Sequence, residues 1–141
     1  MPTRWIDQGA IKAIEFVEVP NRYLAGITEV ALKEHIADKT NWRKMLQGSD
    51  EEVDLASIKQ QLSQYIPEEV KQYFVKEEVK ITELNYPVIQ NPEKVKSLSL
   101  LKTPSYTGVL KGIKGQYLIF EDNTVFNVRA NEGLVVTINT Q

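Results

Sequence analysis

Few residues in this chain have types and spacing that could do chemistry. Arg22, Gly26, Glu29 and Lys33 follow one another at steps of four, three and four, so a helix aligns them on one stripe. Glu29 then sits mid-helix beside a glycine that leaves room for another group to approach. The same spacing also describes an exposed glutamate with Arg22 and Lys33 as helix ion pairs, each worth roughly a few tenths of a kcal/mol. His35 is the single histidine and lies four residues after Ala31. No cluster with metal-ligand spacing surrounds it, so it reads as a packed or capping histidine. No serine has a nucleophile-elbow setting, which disfavours a serine hydrolase.

Two tryptophans stand next to arginines, as Arg4-Trp5 and Trp42-Arg43. Such pairs can line a nucleic-acid groove by stacking and charge. They can equally be core tryptophans with exposed arginines, since a large ring contributes much of a small core. Gly112-Ile113-Lys114-Gly115 lacks the length and the Lys-Ser/Thr ending of a phosphate loop and reads as a hairpin turn. Lys102, Lys111, Lys114 and Arg129 give the end of the chain its positive balance. Together they offer a basic face on which phosphates of a nucleic acid could be positioned.

The elements that must carry these residues fall into three stretches. In residues 1–48, Thr3 can cap a short helix from Arg4 to Ile11. Ile14 to Val19 alternates as a strand, and Pro20 ends it. Asn21 then caps a helix to about Ala37, with Tyr23, Leu24, Ile27, Val30, Ala31 and Leu32 as a wide buried stripe. A short helix over Asn41 to Leu46 is stopped by Gly48. Residues 49–93 form a helical middle and linker. Ser49-Asp50-Glu51-Glu52 has capping-box spacing, Leu55, Ile58, Leu62, Tyr65 and Ile66 recur at helical steps, and Pro67 opens another helical turn. A strand over Val79 to Leu84 follows. Residues 94–141 predict five short strands: Val95 to Leu101, Tyr106 to Leu110, Gln116 to Phe120, Thr124 to Val128 and Leu134 to Ile138. These form a C-terminal antiparallel sheet or small barrel. The fold class is α+β.

The chain has 141 residues, 42% hydrophobic and 26% charged, with a net charge of −2. That is an ordinary globular balance and argues against both global disorder and a wholly basic nucleic-acid binder. There is no cysteine, which removes disulfides, thiolate zinc sites and cysteine nucleophiles from these residues. No apolar run reaches the roughly 18 residues of a membrane helix and no signal peptide opens the chain, so a cytoplasmic, bacterial-type protein with no membrane contact is expected. The charge is unevenly spread: residues 51–93 hold four basic and nine acidic groups, whereas residues 94–141 hold six basic and three acidic.

Three stretches carry a resemblance. Pro2-Thr3-Arg4-Trp5-Ile6-Asp7-Gln8-Gly9-Ala10, Asp38-Lys39-Thr40-Asn41-Trp42-Arg43 and Gly112-Ile113-Lys114-Gly115-Gln116-Tyr117-Leu118-Ile119-Phe120 resemble signatures of one bacterial family, the domain of unknown function 2797. Val125-Phe126-Asn127-Val128-Arg129 adds to the third. The resemblance spans nearly the whole chain. It implies members that are longer at the N-terminus, with cysteines and a strand pair leading into the Arg-Trp stretch.

Residues 1–37 also resemble, more weakly, a truncated GIY-YIG nuclease domain, in which strands and helices alternate after an opening hairpin. That resemblance implies a catalytic Arg4 on the first helix and a metal-binding Glu29 on the second, with Mg²⁺ stabilising the leaving oxygen while the arginine neutralises the phosphate. The paired tyrosines of that family's hairpin have no counterpart here. The expected functions are therefore a nuclease-derived protein acting on nucleic acid or, alternatively, a non-enzymatic module that binds nucleic acid or a protein through the C-terminal β-rich stretch.

Overall fold

The computed structural model describes residues 2–37, 39–48, 52–76 and 80–141. The chain divides into two compact units, each discontinuous in sequence. One comprises residues 11–41 and 51–84; the other comprises residues 1–10, 42–50 and 85–141.

The first of these units is built on a narrow antiparallel ribbon. β1 (Lys12–Ile14) pairs with β2 (Ile81–Glu83), Ala13 opposite Thr82. Beyond Ile14 the chain stays extended and takes a second partner. Val17 bridges to Phe74, Glu18 N–H donates to the Tyr73 carbonyl at 2.9 Å, and Val75 N–H donates to the Phe16 carbonyl at 3.2 Å. Of the stretch 14–19, expected as one strand, only Ile14 lies in β1, opposite Ile81, and the residues after it find their partners in residues 73–75, which gives its backbone groups somewhere to bond. α2 (Arg22–Leu32) starts at Asn21, whose side chain accepts from Leu24 N–H at 3.0 Å.

α2 ends earlier than the apolar pattern predicts. After Leu32 the bonds tighten, with Lys33 N–H donating to Val30 and His35 N–H to Leu32, the tightened last turn in which helices often finish. Only part of the expected stripe is covered: Leu32 is buried, whereas Tyr23 and Val30 are 66% and 71% exposed. Thr28 takes a buried place instead, its hydroxyl donating to the Leu24 carbonyl. His35 stacks on Tyr65, ring centroids 3.5 Å apart.

α4 (Leu55–Leu62) is capped by Asp54, which accepts from Ser57 N–H at 3.1 Å. The expected capping box at residues 49–52 lies largely outside the described residues, as does Val79. Two 3₁₀ turns, Ser63–Tyr65 and Glu68–Tyr73, complete the helical middle. Lys59 is 2% exposed. Its ammonium donates to the Glu15 carbonyl at 2.6 Å and lies 5.1 Å from the Phe74 ring centroid. Burial lowers its pKa, partly offset by Glu15.

The other unit holds α1 (Pro2–Asp7), α3 (Trp42–Gln47) and a four-stranded sheet. α1 closes in a Schellman turn: Ala10 N–H donates to the Trp5 carbonyl and Gly9 N–H to the Ile6 carbonyl, with Gly9 at φ +75°. That conformation suits glycine, and a Cβ there would also strike the Met45 thioether. Tyr86 O–H donates to the Ala10 carbonyl at 2.8 Å and fixes the same turn; burial, and secondarily Asp7, raise its pKa.

The sheet comprises β3 (Lys96–Ser97), β4 (Leu110–Lys114), β5 (Tyr117–Phe120) and β6 (Thr124–Asn127) in the order β3-β6-β5-β4. β3 runs parallel to β6 and the other pairs are antiparallel. The sheet is open and mixed rather than a closed antiparallel barrel. Its core is Leu46, Tyr117, Ile119 and Val125, with Trp42, Met45, Val88 and Val95 packed around it.

Two expected strands change place. Residues 106–109 are irregular, and β4 instead covers most of the Gly-Ile-Lys-Gly stretch read as a turn. Gly112 is there for close approach: a Cβ would lie 3.1 Å from Val88, and residues 87–89 run beside β4, with Ile89 N–H donating to Lys111 and Ile113 N–H to Pro87. The turn itself is only Gly115 and Gln116, with Gly115 at φ +58°, as a tight hairpin requires. Residues 134–138, expected as a strand, lie in no strand of the described sheets. No helix among the described residues is long and apolar enough to cross a membrane.

Candidate binding site

The sheet-containing unit has a pocket of about 410 Å³ beside β3. Its floor is aromatic. Trp42, the first residue of α3, lies nearly parallel to the Tyr117 ring with centroids 5.6 Å apart, and the Arg43 guanidinium stands 4.3 Å from the centre of the Trp42 ring. The stacked ring and the nearby cation help hold the indole in place. Val125 fills in from β6.

One wall is polar and fixed. Asn127 Oδ1 accepts from Ala130 N–H at 3.0 Å, and the Asn127 carbonyl accepts from Asn131 Nδ2 at 2.8 Å. These bonds fold the chain after β6 into the 3₁₀ turn Arg129–Asn131, which brings Asn131 to the pocket.

The opposite wall is β3 and the residues after it: Ser97, Leu98 and Ser99. β3 is an edge strand with one neighbour. Lys96 N–H donates to the Asn123 carbonyl and Leu98 N–H to the Val125 carbonyl, both toward β6. Amides alternate direction along a strand, so that of Ser97 points away from the sheet. Past β3 the chain turns, the Ser99 carbonyl accepting from Lys102 N–H at 3.1 Å and Thr103 N–H at 2.9 Å, so the pocket lies along a short strand edge whose outward backbone groups are those of Ser97. Among the described residues no carboxylate, histidine, lysine or arginine lines it, and those that do offer hydroxyls, amides and aromatic surface for binding.

Arg4 lies exposed on α1 and Glu29 exposed on α2, in separate compact units. Among the described residues no three histidines or carboxylates form a group suited to a metal ion. Of the four expected phosphate contacts, Lys102 is exposed on a loop. Lys111 pairs with Glu121 at 3.2 Å and Arg129 with Asp7 at 3.3 Å. Lys114 turns inward: it is 5% exposed and its ammonium donates to the Met45 carbonyl at 3.0 Å. Three of the four are thus engaged by the protein itself.

The family model described as "Protein of unknown function (DUF2797)" matches residues 1–136. The chain belongs to the DUF2797 family. A search of curated proteins and a search of solved structures each returned no significant match. Much of the three stretches that resemble DUF2797 signatures lies in the sheet-containing unit. Trp42 comes from the second, Tyr117, Val125 and Asn127 come from the third with its addition, and all four line the pocket. The first is tied to the third, the Asp7 carbonyl accepting from Gln116 N–H at 3.0 Å and its carboxylate from Arg129. The residues that sequence reasoning missed are Ser97, Ser99 and Asn131. Asn127 stood within a quoted stretch, but its role in shaping a turn did not show in its spacing.

Proposed function

We propose that this DUF2797 chain is a non-enzymatic binding module whose partner is a protein, taken as an extended segment along β3. The observation that carries this reading is the pocket lying beside an edge strand with an outward amide. An extended peptide adds backbone bonds to such an edge and places alternate side chains in the adjoining pocket. The lining suits this, since serine and asparagine groups can meet peptide polar groups while Trp42 and Tyr117 offer apolar surface. A nucleic acid would instead call on cations, and Lys111, Lys114 and Arg129 are engaged elsewhere.

The test is a titration of the ¹⁵N-labelled chain with the peptide acetyl-Thr-Val-Thr-Val-Thr-amide. Amide shifts concentrated at residues 95–101 and 127–131, with the Trp42 indole, are expected. Ser97→Pro, which removes an outward N–H, should abolish them. Shifts scattered over both units, or none at millimolar peptide, would overturn the reading. Binding to single-stranded DNA that falls steeply with salt would favour nucleic acid instead.

A second reading rests on element order. α1, β1 and α2 follow one another with exposed Arg4 and Glu29 on the two helices, as a nuclease-derived region with Mg²⁺ at Glu29 requires. Mg²⁺ titration should then move amides around Glu29, and no local response would count against it.

A further inference from the structure

We infer that the extended segment which fills the β3 edge is residues 134–138 of a second copy of this chain, exchanged reciprocally to form a weak dimer. This rests on the reading of the β3 edge as a peptide-binding site and names its occupant.

Three observations point to that occupant. The first is the state of the segment. Leu134 N–H donates to the Asn131 carbonyl at 3.3 Å, and no residue from 135 to 141 makes a hydrogen bond among the described residues of its own chain. Val135 is fully exposed, Ile138 is 80% exposed and Val136 is half exposed. Leu-Val-Val-Thr-Ile is a strand-forming sequence, with Leu134, Val136 and Ile138 on one face and Val135 and Thr137 on the other. It has both the backbone groups and the apolar side chains of a strand, but residues 135–138 have no strand partner among the described residues.

The second is complementarity. Residues 133–141 carry no charged side chain, so docking them against Ser97, Leu98 and Ser99 desolvates no ion. The outward amide of Ser97 needs what an unpaired strand supplies, and the pocket next to it takes an apolar side chain such as Val136 beside Trp42 and Tyr117.

The third is placement. Donor and acceptor adjoin within one chain: Asn131 borders the pocket, and the segment departs three residues later, past Gly133 at φ +90°. A two-fold axis close to the pocket therefore lets each copy insert its segment into the other at once. Such an isologous exchange closes as a dimer, whereas a one-way donation would leave an edge and a segment open at either end.

The interface is a short strand on each side, so the dimer is expected to be a weak one of small area. Sedimentation velocity of the full chain up to about 500 µM, high enough for a transient interface, should show a rising dimer fraction. Two variants separate the parts. Val136→Asp with Ile138→Asp spoils the donor and keeps the acceptor; Ser97→Pro spoils the acceptor and keeps the donor. Each alone should sediment as a monomer, or at least tenfold weaker, with an unchanged circular dichroism spectrum. Mixed in equal amounts, they should recover association through the one intact exchange. A full chain that stays monomeric, or a dimer that survives either variant, overturns the exchange. If the Thr-Val peptide binds the β3 edge while a peptide of residues 133–141 does not, the exchange fails and the peptide-binding reading stands. If neither binds, both fall.

Discussion

Lys114 shows how a residue can look functional in sequence and be structural in place. Its ammonium is enclosed and bonded to the Met45 carbonyl, so its long stem counts as core. Lys114→Ala should destabilise the chain by about 2–4 kcal/mol through lost packing and a lost bond. Lys102→Ala should stay within about 0.5 kcal/mol. Thermal melts of the two variants check this, and equal effects would contradict it. Gly115 is as demanding, since it combines positive φ with a backbone approach: a Cβ would overlap the Asp7 carbonyl oxygen. Gly115→Ala should cost more than the ~1 kcal/mol of an ordinary left-handed glycine replacement, and Gly133→Ala, with open space around it, should cost less. Asp122 accepts from the Tyr106 hydroxyl at 2.8 Å and from Thr124 N–H at 3.0 Å. The Tyr106 bond first, then that of Thr124, lowers its pKa below the ordinary 3.8. A depressed folded-state pKa gives stability that is present above 3.8 and lost as pH falls through the folded value. Tyr106→Phe should therefore lower the melting temperature more at pH 7 than at pH 2, and an equal loss at both would contradict the assignment.

At the scale of elements, what was legible was local. Asn21 as a cap and Gly48 as a stop depend on neighbours within a few residues, and each is found where the residue types put it, whereas the strand expected over 14–19 is displaced to Lys12–Ile14 with only a bridge at Val17 beyond it. Asn21→Ala should accordingly cost α2 about 0.5–2 kcal/mol, read as a lower urea midpoint with an unchanged slope. What was illegible depends on distant partners. Gly112 sits in a strand because Val88 passes against it. Tyr23 and Val30 share the helical period of the buried residues, yet periodicity alone does not say how wide the covered stripe is. The pocket was hidden for the same reason. Ser97 meets Val125 only because β3 joins β6 in parallel across an intervening stretch of chain, and nothing in the spacing of either residue records that crossover. Residues 134–138 have every local mark of a strand, and local marks cannot supply the neighbour.

For the whole molecule, the net charge of −2 does not describe the surface that a partner meets. Three of the six basic residues in 94–141 are engaged by Glu121, Asp7 and the Met45 carbonyl, and no charged side chain among the described residues lines the pocket beside β3. The chain should therefore pass unretained over immobilised single-stranded DNA at about 0.1 M salt, where long-range attraction is screened beyond about 10 Å. The central claim is that the β3 edge accepts an extended chain. Hydrogen exchange at the Ser97 amide tests it most directly, measured with and without saturating acetyl-Thr-Val-Thr-Val-Thr-amide. Exchange of this amide should slow at least about tenfold, as a new strand bond protects it, while the Lys96 and Leu98 amides, already bonded to β6, change little. Unchanged exchange at Ser97 with peptide in excess would contradict the account.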